Sequence, residues 1–158
     1  QSADEMYEAT IEAFKNSRLA ILTAAVADYK PVTYADQKIK KKNADEGITL
    51  KLVRTKDIAK KLGQIKEKKQ LLVGFALETT NEEANAKAKL KKKNLDAIVL
   101  NSLNDEGAGF QHNTNQVTMF STNGQVLKGE LKSKKEVAAD LVDFLEKEFP
   151  EFLEVDIK

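Results

Sequence analysis

The chain has 158 residues and a mass of 17.6 kDa, which fits one domain rather than two. Hydrophobic residues make up 41% and charged residues 32%, an ordinary composition for a soluble protein. No run approaches the ~18 apolar residues of a membrane span, and no charged-then-apolar leader opens the chain. There is no Cys and one His, His112, which excludes disulfides, thiolate ligands and a His-rich zinc site within the chain. The absence of Cys is compatible with a cytoplasmic protein.

The charges are balanced in number but uneven along the chain. Lys and Arg total 26 and Asp and Glu total 25, so the net charge is only +1, whereas a general polyanion binder shows a larger excess. Arg occurs at Arg18 and Arg54, and the other 24 basic residues are Lys. Lysines concentrate in residues 38–42 and again in residues 87–93. Lysine favours point-charge contacts over the bidentate contacts that Arg makes.

The first half of the chain predicts alternating helices and strands. Ser2 and Glu5 form an S-x-x-E capping box, and Met6, Ile11 and Phe14 recur at helical spacing behind it. The apolar run 19–27 predicts a strand buried on both faces of a parallel sheet. The elements predicted next are a polar loop over 32–47, a strand over 48–53, a helix over 55–69, a strand over 71–76, a helix opened by a Thr80–Glu83 capping box and running to about 93, and a strand over 95–100.

The pattern changes after residue 101. Residues 102–115 predict a loop, and Asn123-Gly124 between two short apolar runs predicts a hairpin with a type I′ turn. Ser133 and Glu136 cap a last amphipathic helix. Together these elements predict a single α/β domain over 1–158: a Rossmann-like three-layer sheet, mostly parallel, with a C-terminal antiparallel hairpin.

Ligands of open α/β sheets bind outside the carboxyl ends of the strands. That rule selects three clusters, at residues 24–28, 75–78 and 101–102. Neither a G-x-G-x-x-G fingerprint nor a P-loop is present in the chain. The small side chains of Ala24, Ala25 and Ala27 let a flat base or ribose approach the sheet edge, or they serve tight packing of helix on strand.

Three further positions carry a functional and a structural interpretation. Asp28 is suited to hold a ribose hydroxyl or help position Mg²⁺, or it caps the turn before Pro31. Lys38 lies on a basic loop that can close over a triphosphate, or on solvated surface. Phe75 faces a nucleobase or fills the core.

Lys89 and Lys93 share a helix face, but Lys93 lies roughly 18 Å along the helix at ~1.5 Å per residue, which favours a merely solvated face. His112 is expected to be an exposed loop residue. These residues indicate a nucleotide or polyanion site at the sheet edge, without defining a reaction.

Five segments in register carry a family resemblance over nearly the whole chain. They are AAVADY (24–29), KIKK (38–41), LVRTKDI (52–58), VGFALET (73–79) and KNLD (93–96). In order and spacing they resemble the phosphopantothenate–cysteine ligases (phosphopantothenoylcysteine synthetases) of coenzyme A biosynthesis, of the bacterial CTP-dependent type. The chain is similar to the C-terminal portion of that domain, and the upstream half of the family's domain, with its Gly-rich phosphate loop and Asn-containing segment, has no counterpart here.

The resemblance implies an activity, cofactors and partners. Such enzymes activate the carboxylate of 4′-phosphopantothenate with CTP and Mg²⁺, form an acyl-nucleotidylate, and transfer the acyl group to the amine of cysteine. A catalytic role falls to Lys38. The nucleotide contacts implied are Thr23, Ala24, Asp28, Lys38, Thr55, Lys56, Asp57, Ile58, Phe75, Lys89 and Lys93, with Asp28 as the candidate metal ligand. The resemblance further implies a homodimer, with the hairpin strands as the expected contact, and a possible fusion to a flavin-dependent decarboxylase; it implies neither nucleic acid nor membrane as a partner.

The chain departs from the family pattern at three positions, and two other functions remain open. Lys56 stands where the family usually has Pro, and Leu77 and Leu100 stand where it usually has Ala. The α/β pattern and the position of Asp28 also suit a fragment of a nicotinamide-dependent oxidoreductase. The lysine runs suit a nucleic-acid-binding module, although 6% aromatic residues are few for base stacking.

Overall fold

A computed structural model of the protein describes residues 2–39, 47–102 and 113–153. In chain order the elements are α1 (Ala3–Phe14), β1 (Leu19–Leu22), β2 (Tyr29–Pro31), β3 (Leu52–Arg54), α2 (Ile58–Ile65), β4 (Leu71–Glu78), α3 (Glu82–Lys92), β5 (Ala97–Ser102), β6 (Thr114–Asn115), β7 (Val117–Ser121), β8 (Val126–Lys128), β9 (Lys132–Ser133), α4 (Lys134–Glu148) and α5 (Pro150–Leu153). Among the described residues, no helix combines the length and apolar character needed to cross a bilayer.

The central sheet has five strands in the order β1-β4-β5-β7-β8. The first three run parallel, and β7 and β8 add to β5 in antiparallel fashion. Two short ribbons, β2-β3 and β6-β9, lie outside this sheet. Helices α1, α2 and α3 pack on one face and α4 on the other, which confirms the predicted α/β class with a parallel core and an antiparallel extension.

Alternation along β4 divides the core into two halves. Leu72 and Ala76 pack with α1, α2 and α3, whereas Leu71 and Val73 pack with α4. Successive side chains of a strand point to opposite faces, so one strand supplies both cores. Burying each such Leu or Val contributes about 1.5–3 kcal/mol, which makes β4 the centre of the fold.

Two of the three predicted capping boxes are confirmed. In each, the Ser hydroxyl accepts the backbone N–H of the Glu three residues on, and the Glu carboxylate accepts the Ser N–H; the pairs are Ser2–Glu5 and Ser133–Glu136. The predicted Thr80–Glu83 box is wrong. Helix α3 begins after Asn81, which has a left-handed backbone and no side-chain cap, and the Thr80 carbonyl instead accepts Asn85 Nδ2 at 2.9 Å.

Several predicted boundaries are also wrong. The first strand ends at residue 22 and is half-buried rather than buried, since β1 is the outer strand of the described sheet. The strand predicted over 48–53 is only Leu52–Arg54, and the helix predicted over 55–69 is only Ile58–Ile65. Strands β2, β6 and β9 were not predicted. Lys40, Lys41, Lys42 and His112 lie outside the described residues.

The hairpin is present, but its turn is of another type. A type I′ turn needs a positive φ at both central residues, whereas only Gly124 of the Asn123-Gly124 pair has one, at 88°. The Gly124 N–H donates to the Ser121 carbonyl, and the Ser121 N–H to the Gln125 carbonyl. This is the pattern of a type I turn followed by a left-handed Gly in a three-residue loop.

Helices α2 and α3 meet backbone to backbone. A Cβ on Gly63 would lie 1.9 Å from the carbonyl oxygen of Lys93, so only Gly permits this approach. Asn94, with a left-handed φ of 52°, donates from Nδ2 to the Gly63 carbonyl at 2.7 Å. The end of α3 is thereby held against the middle of α2.

We expect Gly63→Ala to destabilise the protein by about 1–3 kcal/mol, because the obstructing atom is backbone and the two helices must separate. This cost exceeds the ~0.5–1 kcal/mol that Ala gains over Gly inside a helix. Urea unfolding measures the difference. Gly47→Ala is the matched control, since nothing lies within 4 Å of a Cβ at Gly47. Equal stability of the two variants would contradict the close approach.

Candidate functional site

The carboxyl ends of the three parallel strands meet at one edge of the sheet, as predicted. They are the irregular segment 23–28 after β1, Glu78 at the end of β4, and Ser102 at the end of β5. Ser102 Oγ lies 2.8 Å from an oxygen of Glu82, so the end of β5 is joined to the first turn of α3. This edge is the place where α/β sheets bind ligands.

The turn before α2 is attached to the segment that follows β1. The Thr55 N–H donates to the Asp28 carbonyl at 2.9 Å, and Thr55 Oγ1 donates to the Ala27 carbonyl at 2.6 Å. Two predicted site segments, 23–28 and 55–58, are therefore neighbours. The Asp28 side chain itself is exposed to solvent.

Asp57 links this turn to the far end of α3. Its carboxylate caps α2 by accepting the Lys60 N–H at 3.0 Å, and Lys93 Nζ lies 3.1 Å from its other oxygen. Burial raises the pKa of Asp57, but the Lys60 N–H and the Lys93 ammonium together outweigh burial and hold that pKa below its ordinary value. Asp57 is thus an anion at neutral pH, paired with a cation.

Lys89 makes a similar pair one turn earlier on α3. Its Nζ lies 2.6 Å from Oε1 of Glu78, the last residue of β4. Asn85, one turn earlier again, donates from Nδ2 to Glu78 Oε2 at 3.3 Å. Asn85, Lys89 and Lys93 therefore form a polar row at spacing four along α3 and its C-cap.

Lys89 and Lys93 lie on a partly solvated face, and each is also paired with a carboxylate. Side chains of a helix lean toward its N-terminus, so both lysines reach back toward the carboxyl edge of the sheet. The close packing of α2 on α3 also brings Asp57 within reach of Lys93. The distance along the helix axis alone therefore overestimated how far Lys93 is from the site.

Lys56 turns away from this row toward α1. Its Nζ lies 2.7 Å from an oxygen of Glu8 and 4.7 Å from the centre of the Tyr7 ring. The hydrogen bond to the Glu8 carboxylate raises the pKa of Lys56. The residue that departs from the family pattern is thus used to tie the turn to α1.

The other predicted residues occupy different surroundings. Thr23 and Ala24 are exposed, and Ala24–Ala27 line one side of a hollow of about 600 Å³ whose other side is the first turns of α1. The Ile58 side chain is buried among the core residues, and Lys38 is solvent-exposed.

Phe75 is 37% exposed and, by alternation from Val73, lies on the α4 face of β4, opposite to the face that carries Glu78. The described contacts therefore join Asp28, Thr55, Asp57 and Lys93 into one group, with Lys89 beside Glu78, and do not connect Phe75 to them.

Chemically, this arrangement suits an anion at the sheet edge. Two lysine ammonium groups are held by carboxylates at fixed points, and an ammonium has three N–H donors, so each retains donors for a ligand. Groups of three or more metal-ligating side chains are absent from the part of the chain that the structure describes.

Sequence reasoning missed two polar partners in this row. It includes Glu78 only as the end of the cluster 75–78 and gives Asn85 no role. The available signal was the spacing of four that relates Asn85, Lys89 and Lys93, together with a carboxylate at the end of an otherwise apolar strand.

Comparisons with known proteins agree in one family. The family model for the DNA/pantothenate metabolism flavoprotein C-terminal domain matches residues 1–149. The chain is 55% identical over 142 residues to a cysteine/cysteine sulfinic acid decarboxylase from an unknown prokaryotic organism. That match covers 90% of this chain and 39% of the relative. The chain is also 46% identical over 142 residues to the coenzyme A biosynthesis bifunctional protein CoaBC of Bacillus subtilis, covering 90% of this chain and 34% of that protein.

A solved structure extends the likeness to the fold. The crystal structure of the C-terminal domain of a CoaBC protein superposes with a TM-score of 0.74 at 39% identity, covering 96% of this chain and 64% of that one. The chain spans well under half the length of the decarboxylase and of the Bacillus subtilis protein that it matches.

We expect Asp57→Asn to lower the free energy of unfolding by less than about 1 kcal/mol at neutral pH. Asn still caps the helix, but the ion pair, which is partly exposed, is lost. The pKa of Asp57 is lower in the folded protein than in the unfolded chain. The ion pair therefore contributes fully to the free energy of unfolding above the unfolded-state pKa of about 3.9, and this contribution disappears as the pH falls through the lower pKa of the folded state.

Urea unfolding of both proteins between neutral and acidic pH measures this difference. Asp57→Ala serves as the control, because it also removes the cap and should cost about 1 kcal/mol more than Asn at every pH. A difference between wild type and Asp57→Asn that stays constant down to the lowest pH would contradict the ion pair.

Proposed function

Because the chain belongs to the family of DNA/pantothenate metabolism flavoprotein C-terminal domains, we propose that it forms the nucleotide-binding portion of a ligase of coenzyme A biosynthesis. The ligase joins 4′-phosphopantothenate to cysteine at the expense of CTP. The observation that carries the proposal is the group of residues at the carboxyl edge of the sheet. Lys89 pairs there with the end of β4, Lys93 pairs with the turn before α2, and that turn is bonded to the segment after β1. Family membership supports the proposed reaction, and the group of residues at the carboxyl edge supports the proposed position of the nucleotide.

The proposed reaction has two steps. A carboxylate oxygen of 4′-phosphopantothenate attacks the α-phosphorus of CTP, the bond from that phosphorus to the α,β-bridging oxygen breaks, and pyrophosphate leaves. The amine of cysteine then attacks the acyl carbon of the acyl-nucleotidylate, CMP leaves, and the amine proton passes to solvent. Neither step needs a His or Cys side chain, because the substrates bring both nucleophiles. The protein's task is to position two anions and to offset their charge.

Each part of the site has a place in this scheme. The small side chains of Ala24–Ala27 allow a base or ribose to lie against the hollow beside α1. Lys89 and Lys93 offer donors to the phosphates. Lys38 lies on an exposed loop and offsets negative charge on the transferred phosphoryl group. Phe75, on the other face of β4, would contact the nucleotide only where it passes over the strand end.

Asp28 fits a magnesium ion carried by the nucleotide. Mg²⁺ in nucleotide sites is commonly held by one or two carboxylates, the phosphates and water. The Asp28 side chain is exposed at the carboxyl edge, whereas Asp57 and Glu78 are already engaged by lysines. When bound, the ion would neutralise phosphate charge.

The relatives also support a wider protein around this chain. One relative is called bifunctional and the other a decarboxylase, and each is more than twice as long as its matched part. We include a fused flavin-dependent decarboxylase domain and a cytoplasmic location in the proposal. The comparisons do not favour the oxidoreductase or nucleic-acid-binding alternatives.

The direct test supplies the full-length protein that carries this chain with CTP, Mg²⁺, 4′-phosphopantothenate and cysteine. We expect release of pyrophosphate that requires 4′-phosphopantothenate, and faster release with CTP than with ATP. No pyrophosphate with either nucleotide would reject the ligase. Carbon dioxide released from cysteine without any nucleotide would favour the decarboxylase activity named for the 55% identical relative.

We expect Lys38→Gln to slow pyrophosphate release by roughly 10²-fold or more, because it removes a cation from the transferred phosphoryl group. The circular dichroism spectrum and unfolding midpoint should not change, since Lys38 is solvent-exposed. Lys135→Gln, at an exposed lysine of α4, is the control and should retain wild-type turnover. Equal turnover of both variants would remove Lys38 from the site.

The proposed dimer has two candidate contact surfaces. In the hairpin, which is the predicted contact, Val126 and Leu127 are 47% and 40% exposed. A second set of exposed apolar residues flanks the β2-β3 ribbon in sequence, where Tyr34, Ile48 and Leu50 are 74%, 66% and 63% exposed. Exposed apolar clusters of this kind mark association sites.

We expect the wild-type protein to sediment as a dimer of identical chains. The variant Ile48→Lys/Leu50→Lys should sediment as a monomer if the β2-β3 ribbon makes the contact, and Val126→Lys/Leu127→Lys should do so if the hairpin does. A monomeric wild-type protein at all concentrations would reject the dimer.

A further inference from the structure

The carboxylate at the end of β4 is unusually enclosed for a charged group. The Glu78 side chain is 12% exposed, and its Oε1 is shielded from solvent. A buried carboxylate is costly unless it is paired and hydrogen-bonded. Strand β4 is otherwise made of apolar residues and Gly74, so this one acidic residue needs an explanation that packing does not provide.

Glu78 is held by neighbours on both of its oxygens. Lys89 Nζ lies 2.6 Å from Oε1, and Asn85 Nδ2 lies 3.3 Å from Oε2. The same Asn85 nitrogen lies 2.9 Å from the Thr80 carbonyl, so the carboxylate is fixed to the turn between β4 and α3. Its position therefore depends on the Asn85 side chain, which is itself anchored to the Thr80 backbone.

The Glu78–Lys89 pair is asymmetric in a way that favours a ligand. The Glu78 side chain is only 12% exposed, whereas the Lys89 side chain is 45% exposed. The Lys89 ammonium pairs with Oε1 by charge but does not form a hydrogen bond to it, so its three N–H donors are available to an anion outside. A free lysine loses much rotamer freedom when it binds a phosphate, and a lysine already held by a carboxylate loses less.

The other pairs on α3 lack this combination. Asp57, the partner of Lys93, is 43% exposed and also serves as a helix cap. Glu83 and Lys87 are both about half exposed at a distance of 3.4 Å, the geometry of an ordinary surface pair. Only Glu78, among these three carboxylates of the described residues, is both enclosed and fixed by a second side chain.

We propose that Glu78 is a positioning residue, whose buried carboxylate holds the Lys89 ammonium ready for the phosphates of the bound nucleoside triphosphate. The inference rests on the proposed function, because it takes the ligand of Lys89 from it. Glu78 itself does not touch the nucleotide; it acts through Lys89, and it keeps the lysine in place before the ligand arrives.

The test is a double-mutant cycle in the full-length protein, with KM for CTP and kcat measured at saturating 4′-phosphopantothenate, cysteine and Mg²⁺. Glu78→Gln keeps the shape but removes the charge, and should raise KM for CTP about tenfold with little change in kcat. Lys89→Gln should raise KM at least as much. If Glu78 acts through Lys89, the double variant will be no worse than Lys89→Gln alone.

Controls separate positioning from a structural role. Glu83→Gln removes an exposed carboxylate of the same helix and should leave KM and kcat unchanged. A structural role for Glu78 would lower the unfolding midpoint and kcat, and its effect would add to that of Lys89→Gln. If Glu78→Gln does not fold, Glu78→Asp, which keeps the charge but withdraws it by one methylene, should raise KM several-fold.

Each outcome has a distinct meaning. A wild-type KM for CTP in Glu78→Gln, or in Glu78→Asp when the Gln variant does not fold, would overturn the positioning role, as would additive effects in the cycle. A wild-type protein without CTP-dependent turnover would instead reject the proposed function. A raised KM that disappears in the Lys89→Gln background is the result we expect.

Discussion

The backbone contact between Gly63 and Lys93 is the constraint on which the candidate site depends. With no Cβ at Gly63, α2 approaches the end of α3 so closely that any other residue would collide with a carbonyl oxygen. This approach places the cap of α2 beside the last lysine of α3, and Asp57 and Lys93 pair as a result. The turn that carries Asp57 is also hydrogen-bonded to the segment after β1. One steric contact thus gathers residues that are far apart in sequence.

Stability and function have different sources in this domain. The two apolar cores, divided by β4, supply the favourable free energy of folding. The ion pairs at the carboxyl edge are partly exposed, and such pairs contribute about 0–1 kcal/mol each. In the proposed function their value lies in orientation, because each holds a lysine at the edge where the nucleotide is proposed to bind. In a chain with 24 lysines among 26 basic residues, fixed lysines are distinguished from solvated ones by their carboxylate partners rather than by their number.

The parts of the fold that follow from local chemistry were predictable from the sequence. The capping boxes at Ser2 and Ser133 and the apolar runs of β4 and β5 indicated helices and buried strands correctly. The Thr80–Glu83 pattern failed because Asn81 adopts a left-handed conformation and Asn85 takes the Thr80 carbonyl. Strand β2 was missed because its three residues pair with a strand more than twenty positions away, which no local pattern reveals.

The candidate site was predictable at the level of segments but not of contacts. The rule for α/β sheets selected the edge at which these segments meet, and the resemblance selected the turn before α2 together with Lys89 and Lys93. Lys93 reaches Asp57 because two helices pack closely, and the spacing of residues along one helix cannot predict that packing. By contrast, the opposite orientations of Phe75 and Glu78 could be predicted from the alternation of side chains along a strand, since the two residues are three positions apart on β4.

Hydrogen–deuterium exchange of the full-length protein, with and without Mg²⁺ and CTP, tests the central claim most directly. If a nucleoside triphosphate binds at the carboxyl edge of the sheet, exchange will slow in residues 23–28, 55–58 and 78–93, while α4 (Lys134–Glu148) keeps its rates. Protection confined to β8 (Val126–Lys128) and α4, or no protection at saturating CTP, would contradict this account of the site.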